Sequence, residues 1–281
     1  MGMKLSHLGL MAFHECSKTL NMTAAAAALG ITQSALSQRL AALESDLEVT
    51  LFIRDARGLT LTPEGQRLLL HTQVSLDLEG ELLQDLKGEE KEPGGTIRIA
   101  AYSSVARSLI LPAISGSLRR YPNLLPDLQT YEMKDLPGVL TTARADFVFL
   151  DYELNRAGVL QTKVGDEEYV VIESSRYKSH PDVFLDHDPS DNITEEFFRH
   201  QSRKAAYRRA FLGDVYSIID GVEEGLGRAI MSRHLVEDNR KVKVVSGFRA
   251  YKKPIVLHYF DRAYYPRAFK LIRDELAGSF R

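Results

Sequence analysis

The 281 residues carry 36 Lys+Arg against 38 Asp+Glu, a formal charge of -2, with 44% hydrophobic and 26% charged residues. That composition excludes a disordered or fibrous chain, and at roughly 100–200 residues per domain it predicts two or three domains. Near-neutral charge counts at first against a nucleic-acid partner, which usually goes with a basic excess.

Cys16 is the single cysteine, which excludes an intramolecular disulfide, a CxxC redox pair and a thiolate zinc cage. No run approaches the roughly 20 apolar residues of a membrane span, and residues 1–11 lack the parts of a signal peptide, so a cytoplasmic protein is expected.

In chain order, the alanine-rich run from Met22 to Leu29 predicts a helix, with Gly30 at its left-handed C-terminal cap. Thr32 offers a cap to a second helix over about 33–46. Leu36, Leu40, Leu43 and Leu47 form one stripe on it, expected to be buried. The opposite face presents Ser34, Ser37, Gln38, Ala41 and Ser45, short and uncharged, where a solvated face usually carries Lys and Glu. Such a face suits insertion into a major groove about 12 Å wide. The first turns hold no acid, so a phosphate can approach the helix N-terminus unopposed. Residues 49–62 then read as a β-hairpin wing, with Arg54 and Arg57 placed to reach the DNA backbone or minor groove.

The run Ala24 to Leu29, Gln33-Ser34-Ala35-Leu36-Ser37-Gln38, Leu43-Glu44, Leu51-Phe52-Ile53-Arg54 and Leu59-Thr60-Leu61-Thr62-Pro63-Glu64-Gly65 resembles the N-terminal winged helix-turn-helix of LysR-type transcriptional regulators. Gly221 to Met231 sits where that family has a helix ending in Gly-Leu-Gly before a buried strand. Ser34 stands where the family usually has Pro, and Gln38 where Arg is common, which bears on base preference. The resemblance implies an α+β multidomain chain: a winged helix-turn-helix (1–62), a linker helix and connection (63–92), and a two-subdomain α/β effector-binding domain (93–281), similar to periplasmic binding proteins. Its subdomains are expected over about 96–166 with 260–281, and about 170–253. The implied DNA-binding residues are Thr23, Thr32, Gln33, Ser34, Ser37, Gln38, Arg54 and Arg57.

Thr62-Pro63 opens a longer helix, as cap and first residue. Leu69, Leu76 and Leu83 repeat every seven residues, although Thr72 and Glu79 are polar. Packing on its own domain accounts for such a helix, and the resemblance implies a dimerisation linker, with tetramers formed through the effector domains. Residues 87–95 are charged and then Pro/Gly-rich, the composition of an exposed connection. Short apolar runs alternating with helical patterns beyond it predict α/β units around a largely parallel sheet.

Ligands of open α/β sheets sit beyond the carboxyl ends of strands. That points to Tyr102, Ser103 and Ser104 after the first strand of this half, and to Asp186, Asp188 and Asp214 later. Ser103 and Ser104 either bind an effector group, as the resemblance implies, or cap the helix that follows. Residues 182–196 hold six acids and no Lys or Arg, while 199–213 hold five bases and no acid. A dipole-matched helix explains that split; the sharper reading is that an acid here binds a cationic group.

No catalytic motif stands in its required context, and no cofactor or metal is expected. A peroxide-sensing disulfide needs a cysteine pair in the effector domain, and Cys16 is expected in the core of helix one. Two readings follow: a regulator whose DNA binding and bending respond to a small-molecule effector, or a small-molecule-binding or enzymatic α/β protein whose N-terminal module serves dimerisation alone. The polar outward face of the second helix favours the first, because a dimerisation surface there should be apolar. Within 1–62, Lys4, Lys18, Arg39, Arg54 and Arg57 balance Glu15, Glu44, Asp46, Glu48 and Asp55. The expectation is that the signs are separated in space, so affinity comes from fit and from several subunits acting together.

Overall fold

A computed structural model describes residues 5–55, 58–86, 92–201 and 206–279. Helices α1 (His7–Thr19), α2 (Met22–Ala28) and α3 (Gln33–Leu47) open the chain. Asn21 caps α2 by accepting from the Thr23 and Ala24 amides, Gly30 takes a φ of 64° past its end, and Thr32 accepts from the Ala35 amide to start α3. Phe13, Ala25 and Ala26 meet the stripe Leu36, Leu40 and Leu43 in one core, with Leu47 at its edge. The alanines let the helix axes come close.

Strands β1 (Phe52–Asp55) and β2 (Gly58–Leu61) pair antiparallel, from Phe52↔Leu61 to Asp55↔Gly58. Then α4 (Pro63–Leu86) begins. The Thr62 hydroxyl donates to the Thr50 carbonyl (2.7 Å) and accepts from the Gly65 amide (2.9 Å). Gly65 presses so near the Leu51 carbonyl that a Cβ there would lie 2.3 Å from its oxygen.

The seam expected along Leu69, Leu76 and Leu83 divides among three environments. Leu69 and Thr72 are buried against the helical core. Leu76 lines a cavity of about 140 Å³ with Thr96, Ile97 and Phe269, and Leu83 is exposed beside Leu78, Leu82 and Leu86. A helix of 24 residues is about 36 Å long, so one face passes several neighbours, which a heptad count does not register.

The second half runs β3 (Gly95–Ala101), α5 (Ser103–Val105), a π-helical turn at Ala106–Ile110, α6 (Leu111–Arg120), β4 (Leu124–Thr130), α7 (Leu136–Thr141), β5 (Phe147–Leu150), β6 (Val159–Ser174) and β7 (Val183–Asp186). It continues with α8 (Ile193–His200), β8 (Arg208–Phe211), α9 (Val215–Glu223), β9 (Ala229–Ser232), α10 (Arg233–Val236), β10 (Val242–Val244), β11 (Tyr251–Phe260) and α11 (Arg267–Gly278).

The main sheet has the order β10-β6-β11-β5-β3-β4, with β9 also on β6. It is mixed, which corrects the largely parallel expectation. The β3–β4 and β3–β5 pairs are parallel, whereas β11–β5, β11–β6, β6–β9 and β10–β6 are antiparallel. Apolar runs in a sequence carry no direction, and the two long strands β6 and β11 run against their neighbours as they cross between lobes. One lobe is packed around Ile99, Phe147, Phe149, Leu257 and Phe269, the other around Ile172, Leu185, Val222 and Met231. A parallel pair β7–β8 flanks the second lobe.

Gly65→Ala should destabilise the N-terminal domain by about 1–3 kcal/mol, because backbone rather than a flexible side chain stands in the way. A denaturant midpoint within error of wild type would show that the α4 entrance yields freely.

Candidate DNA-binding face and ligand cleft

At the start of α3 the polar candidates form two hydrogen-bonded pairs. The Thr23 hydroxyl donates to Gln33 Oε1 (3.4 Å), and Thr32 and Ser34 share a hydrogen bond (3.0 Å). Thr23, Thr32, Gln33, Ser34 and Gln38 are exposed, and Ser37 is half-buried. Arg54 is exposed on β1, while Arg57 lies outside the described residues. The first turn of α3 holds no acid. Together these features leave free amides and short polar groups on one convex surface, as a groove-inserted helix needs.

Glu44 stands in the last turn of α3. Its Oε1 accepts from the Leu51 amide (2.7 Å) and the Phe52 amide (3.3 Å), so the recognition helix holds the first residues of the wing directly. Charge-assisted bonds of this kind are worth about 1.5–3 kcal/mol.

In the second half, Tyr102, Ser103 and Ser104 lie where β3 gives way to α5. No side chain caps this turn, which removes the capping alternative for the two serines. Instead the Ser104 hydroxyl donates to Glu167 Oε1 (3.1 Å) and the Tyr102 hydroxyl to Oε2 (3.0 Å). Tyr169 (2.8 Å), Ser232 (2.5 Å) and His234 Nε2 (3.0 Å) donate to the same carboxylate, which is completely buried. Tyr102 and Ser104 belong to one lobe, Ser232 and His234 to the other, so Glu167 marks the junction between them. The Ser103 carbonyl accepts from Tyr216 across the same divide (3.5 Å), and Arg107 stacks on the Tyr216 ring at 4.2 Å.

His234 Nδ1 lies 2.7 Å from Ser108 Oγ on the π-helical turn, and Ser108 gives its own hydrogen to the Ser104 carbonyl (2.6 Å). Burial pushes the Glu167 carboxyl up, but the hydrogen bonds from His234 and Ser232, with the charge of His234, outweigh it and leave the group below the usual range.

Glu167 is hidden in the sequence because it lies two residues ahead of the apolar run 169–172. Extended by two residues, the alternation would have set Glu167 on the face of Tyr169 and Val171, an acid among inward-facing positions.

The three candidate acids are not brought to this cluster, and each has a local task. Asp186 is 1% exposed and is held by Thr194 (2.6 Å) and by the Arg209 guanidinium, so it is closed to a ligand. Desolvation raises its carboxyl above the ordinary range despite both partners. Asp188 closes a turn by accepting from the amides of Ser190 (2.6 Å) and Asp191 (3.2 Å). Asp214 caps α9 through the amides of Tyr216 (2.8 Å) and Ser217 (3.0 Å). Helix α8 carries Glu195 and Glu196 in its first turn and Arg199 and His200 in its last, the dipole-matched arrangement. Cys16 is buried, and desolvation pushes its thiol up to about 11, so it offers no reactive thiolate. Among the described residues no helix is long and apolar enough to cross a membrane.

A helix-turn-helix module joined by a long helix to a two-lobed α/β domain defines a ligand-responsive DNA-binding regulator. Residues 9–66 match the family model of the bacterial regulatory helix-turn-helix protein, lysR family, and residues 90–281 match that of the LysR substrate binding domain. The chain belongs to the LysR family of transcription regulators, which bind DNA and small-molecule effectors and form oligomers, and are not enzymes.

It is 30% identical over 233 residues to an uncharacterized HTH-type transcriptional regulator, YvbU, of Bacillus subtilis, covering 79% of this chain and 80% of that one. It is 34% identical over 166 residues to a probable hydrogen peroxide-inducible genes activator of Streptomyces viridosporus; that match covers 58% of this chain and 52%, about half, of the relative. Two solved structures share the fold. ArgP from Mycobacterium tuberculosis has a TM-score of 0.76 and 19% identity, with 99% of both chains covered. Full-length LysG from Corynebacterium glutamicum with bound effector Arg has a TM-score of 0.72 and 15% identity, with 99% and 97% covered.

Because the Glu167 carboxyl is depressed in the folded protein, its contribution to stability is complete above the ordinary glutamate value of 4.5 and is lost as pH falls through the lower folded value. Denaturant unfolding followed between about pH 6 and 3 should show less acid dependence in Glu167→Gln than in wild type. Superimposable curves would place the acid response elsewhere.

Proposed function

We propose that this protein regulates transcription by placing α3 in the major groove of a roughly palindromic site, and that an effector in the cleft between the lobes changes how the DNA is bent. In this reading Gln33, Ser34, Ser37 and Gln38 face base edges, Thr23, Thr32 and the amides at the start of α3 approach phosphate, and Arg54 and Arg57 reach the backbone or minor groove from the wing. The observation that carries it is the uncharged and exposed patch at the start of α3, lying opposite a stripe of three buried leucines.

The chain divides by function at 1–62, 63–92 and 93–281, with effector subdomains over about 96–166 with 260–281 and about 170–253. Separate apolar cores in the helical part and in each lobe support that division. The effector contacts fall to Tyr102, Ser103 and Ser104 on one wall and to the Ser232–His234 wall opposite. Of the acids, Asp188 and Asp214 remain candidates only at the rim. The solved relative carrying arginine supports a small metabolite as effector. The site of action is the cytoplasm.

A gel shift on the DNA upstream of the protein's own gene tests this directly. Gln33→Ala combined with Arg54→Ala should weaken specific binding by about 10- to 100-fold. Unchanged binding would mean that α3 and the wing are not the recognition surface.

Dimers form through the second half of α4, where Leu78, Leu82 and Leu86 recur at four-residue spacing and stay exposed, with Leu83 beside them. Isolated exposed leucines are ordinary, but four within nine residues on one helix call for a partner. Tetramers then form through the effector domains. Leu82→Glu with Leu86→Glu should shift the mass in light scattering to the next smaller species and weaken operator binding. An unaltered mass would remove α4 from the interface.

A further inference from the structure

The cluster around Glu167 has the makeup of an anion-binding site. Five side-chain donors converge on its carboxylate, three of them on Oε1 (Ser104, Ser232, His234) and two on Oε2 (Tyr102, Tyr169). A carboxylate offers roughly four lone-pair positions, so this one is filled. Four of the donors stand on elements other than β6, and they come from both lobes. An incoming anion would meet a buried negative charge with every donor already engaged.

We propose that Glu167 is a built-in occupant of an anion-binding nest in the cleft, so that the wild-type protein takes no free carboxylate at this nest and its effector presents an uncharged or cationic group to it. The statement about the effector rests on the cleft being the effector site; the statement about the nest does not. Removing the side chain beyond Cβ leaves the five donors desolvated around a space that a small carboxylate can enter.

The test is thermal unfolding of the full chain in sodium propionate and in sodium chloride of equal ionic strength. Glu167→Ala should lower Tm by about 5–10 °C. At about 0.1 M, propionate should restore half of that loss or more, whereas chloride restores none of it. Wild type should respond alike to both salts. Glu167→Gln, whose amide keeps the nest filled, should gain nothing specific from propionate and provides the comparison if the alanine variant does not fold. A folded Glu167→Ala protein that propionate fails to rescue overturns the proposal. So does propionate-specific recovery in Glu167→Gln, or propionate-specific stabilisation of wild type that disappears in Ser104→Ala. Gel shifts on the same wild-type preparation keep the two readings apart, because absent DNA binding would count against the regulator and leave the nest untouched.

Discussion

The two lobes are tied by one antiparallel ladder. Strand β6 spans 16 residues and β11 ten, and they remain paired from Phe260↔Val159 to Tyr251↔Tyr169. Each lobe builds its own core on a different half of this ribbon, so neither can shift without bending it. The register changes between Ile255 and Val256, opposite Gly165 and Lys163, close to the point where the ribbon leaves one core for the other. An irregularity there bends the ribbon locally and increases its twist, although Ile255 and Val256 are fully buried. The charges across the ladder reinforce the connection at the cleft: Lys253 joins Asp151 (3.0 Å) to Glu196 (2.8 Å), and its ammonium is held well above the ordinary lysine range by these acids in spite of burial.

On this ribbon, opposite Lys253, Glu167 collects donors from both lobes. A salt bridge buried in this way is poor evidence of net stability, since desolvating the ions offsets much of their attraction. Its value lies in specificity of position. With both lobes donating to the same two oxygens, one closure angle satisfies all five groups, and other angles leave donors without partners. The π-helical turn contributes by bringing Ser108 beneath His234, a task an unbroken helix from Ser103 to Arg120 would perform with different side-chain phasing.

What could be read from the sequence was local. The caps at Thr32 and Thr62, the glycine at 30, the leucine stripe of α3 and the positions of most apolar strands depend on residues within a few places of one another. Strand direction did not follow, because it depends on where the chain goes between strands. The roles of Glu44, Glu167 and Asp186 were hidden for the same reason: their partners lie 7, 65 and 23 residues away in the cases of Leu51, Ser232 and Arg209. For Asp188 and Asp214, a strand end was a fair place to seek a ligand contact, but a turn or a helix start nearby also needs carboxylates, and here that need comes first.

Glu44 has a consequence for how operators are told apart. Its carboxylate fixes the start of the wing to the last turn of α3, and Gly65 seats the linker helix against the same Leu51, so helix, wing and linker move as one body. The protein then works like a caliper with fixed jaws. If α3 and the wing contact DNA as proposed, the distance from major-groove contact to wing contact is set in the protein, and it is the duplex that must adjust. Sites of stiff sequence would then be disfavoured even where their bases pair well with α3, and flexible steps outside the contacted bases would become part of what is recognised.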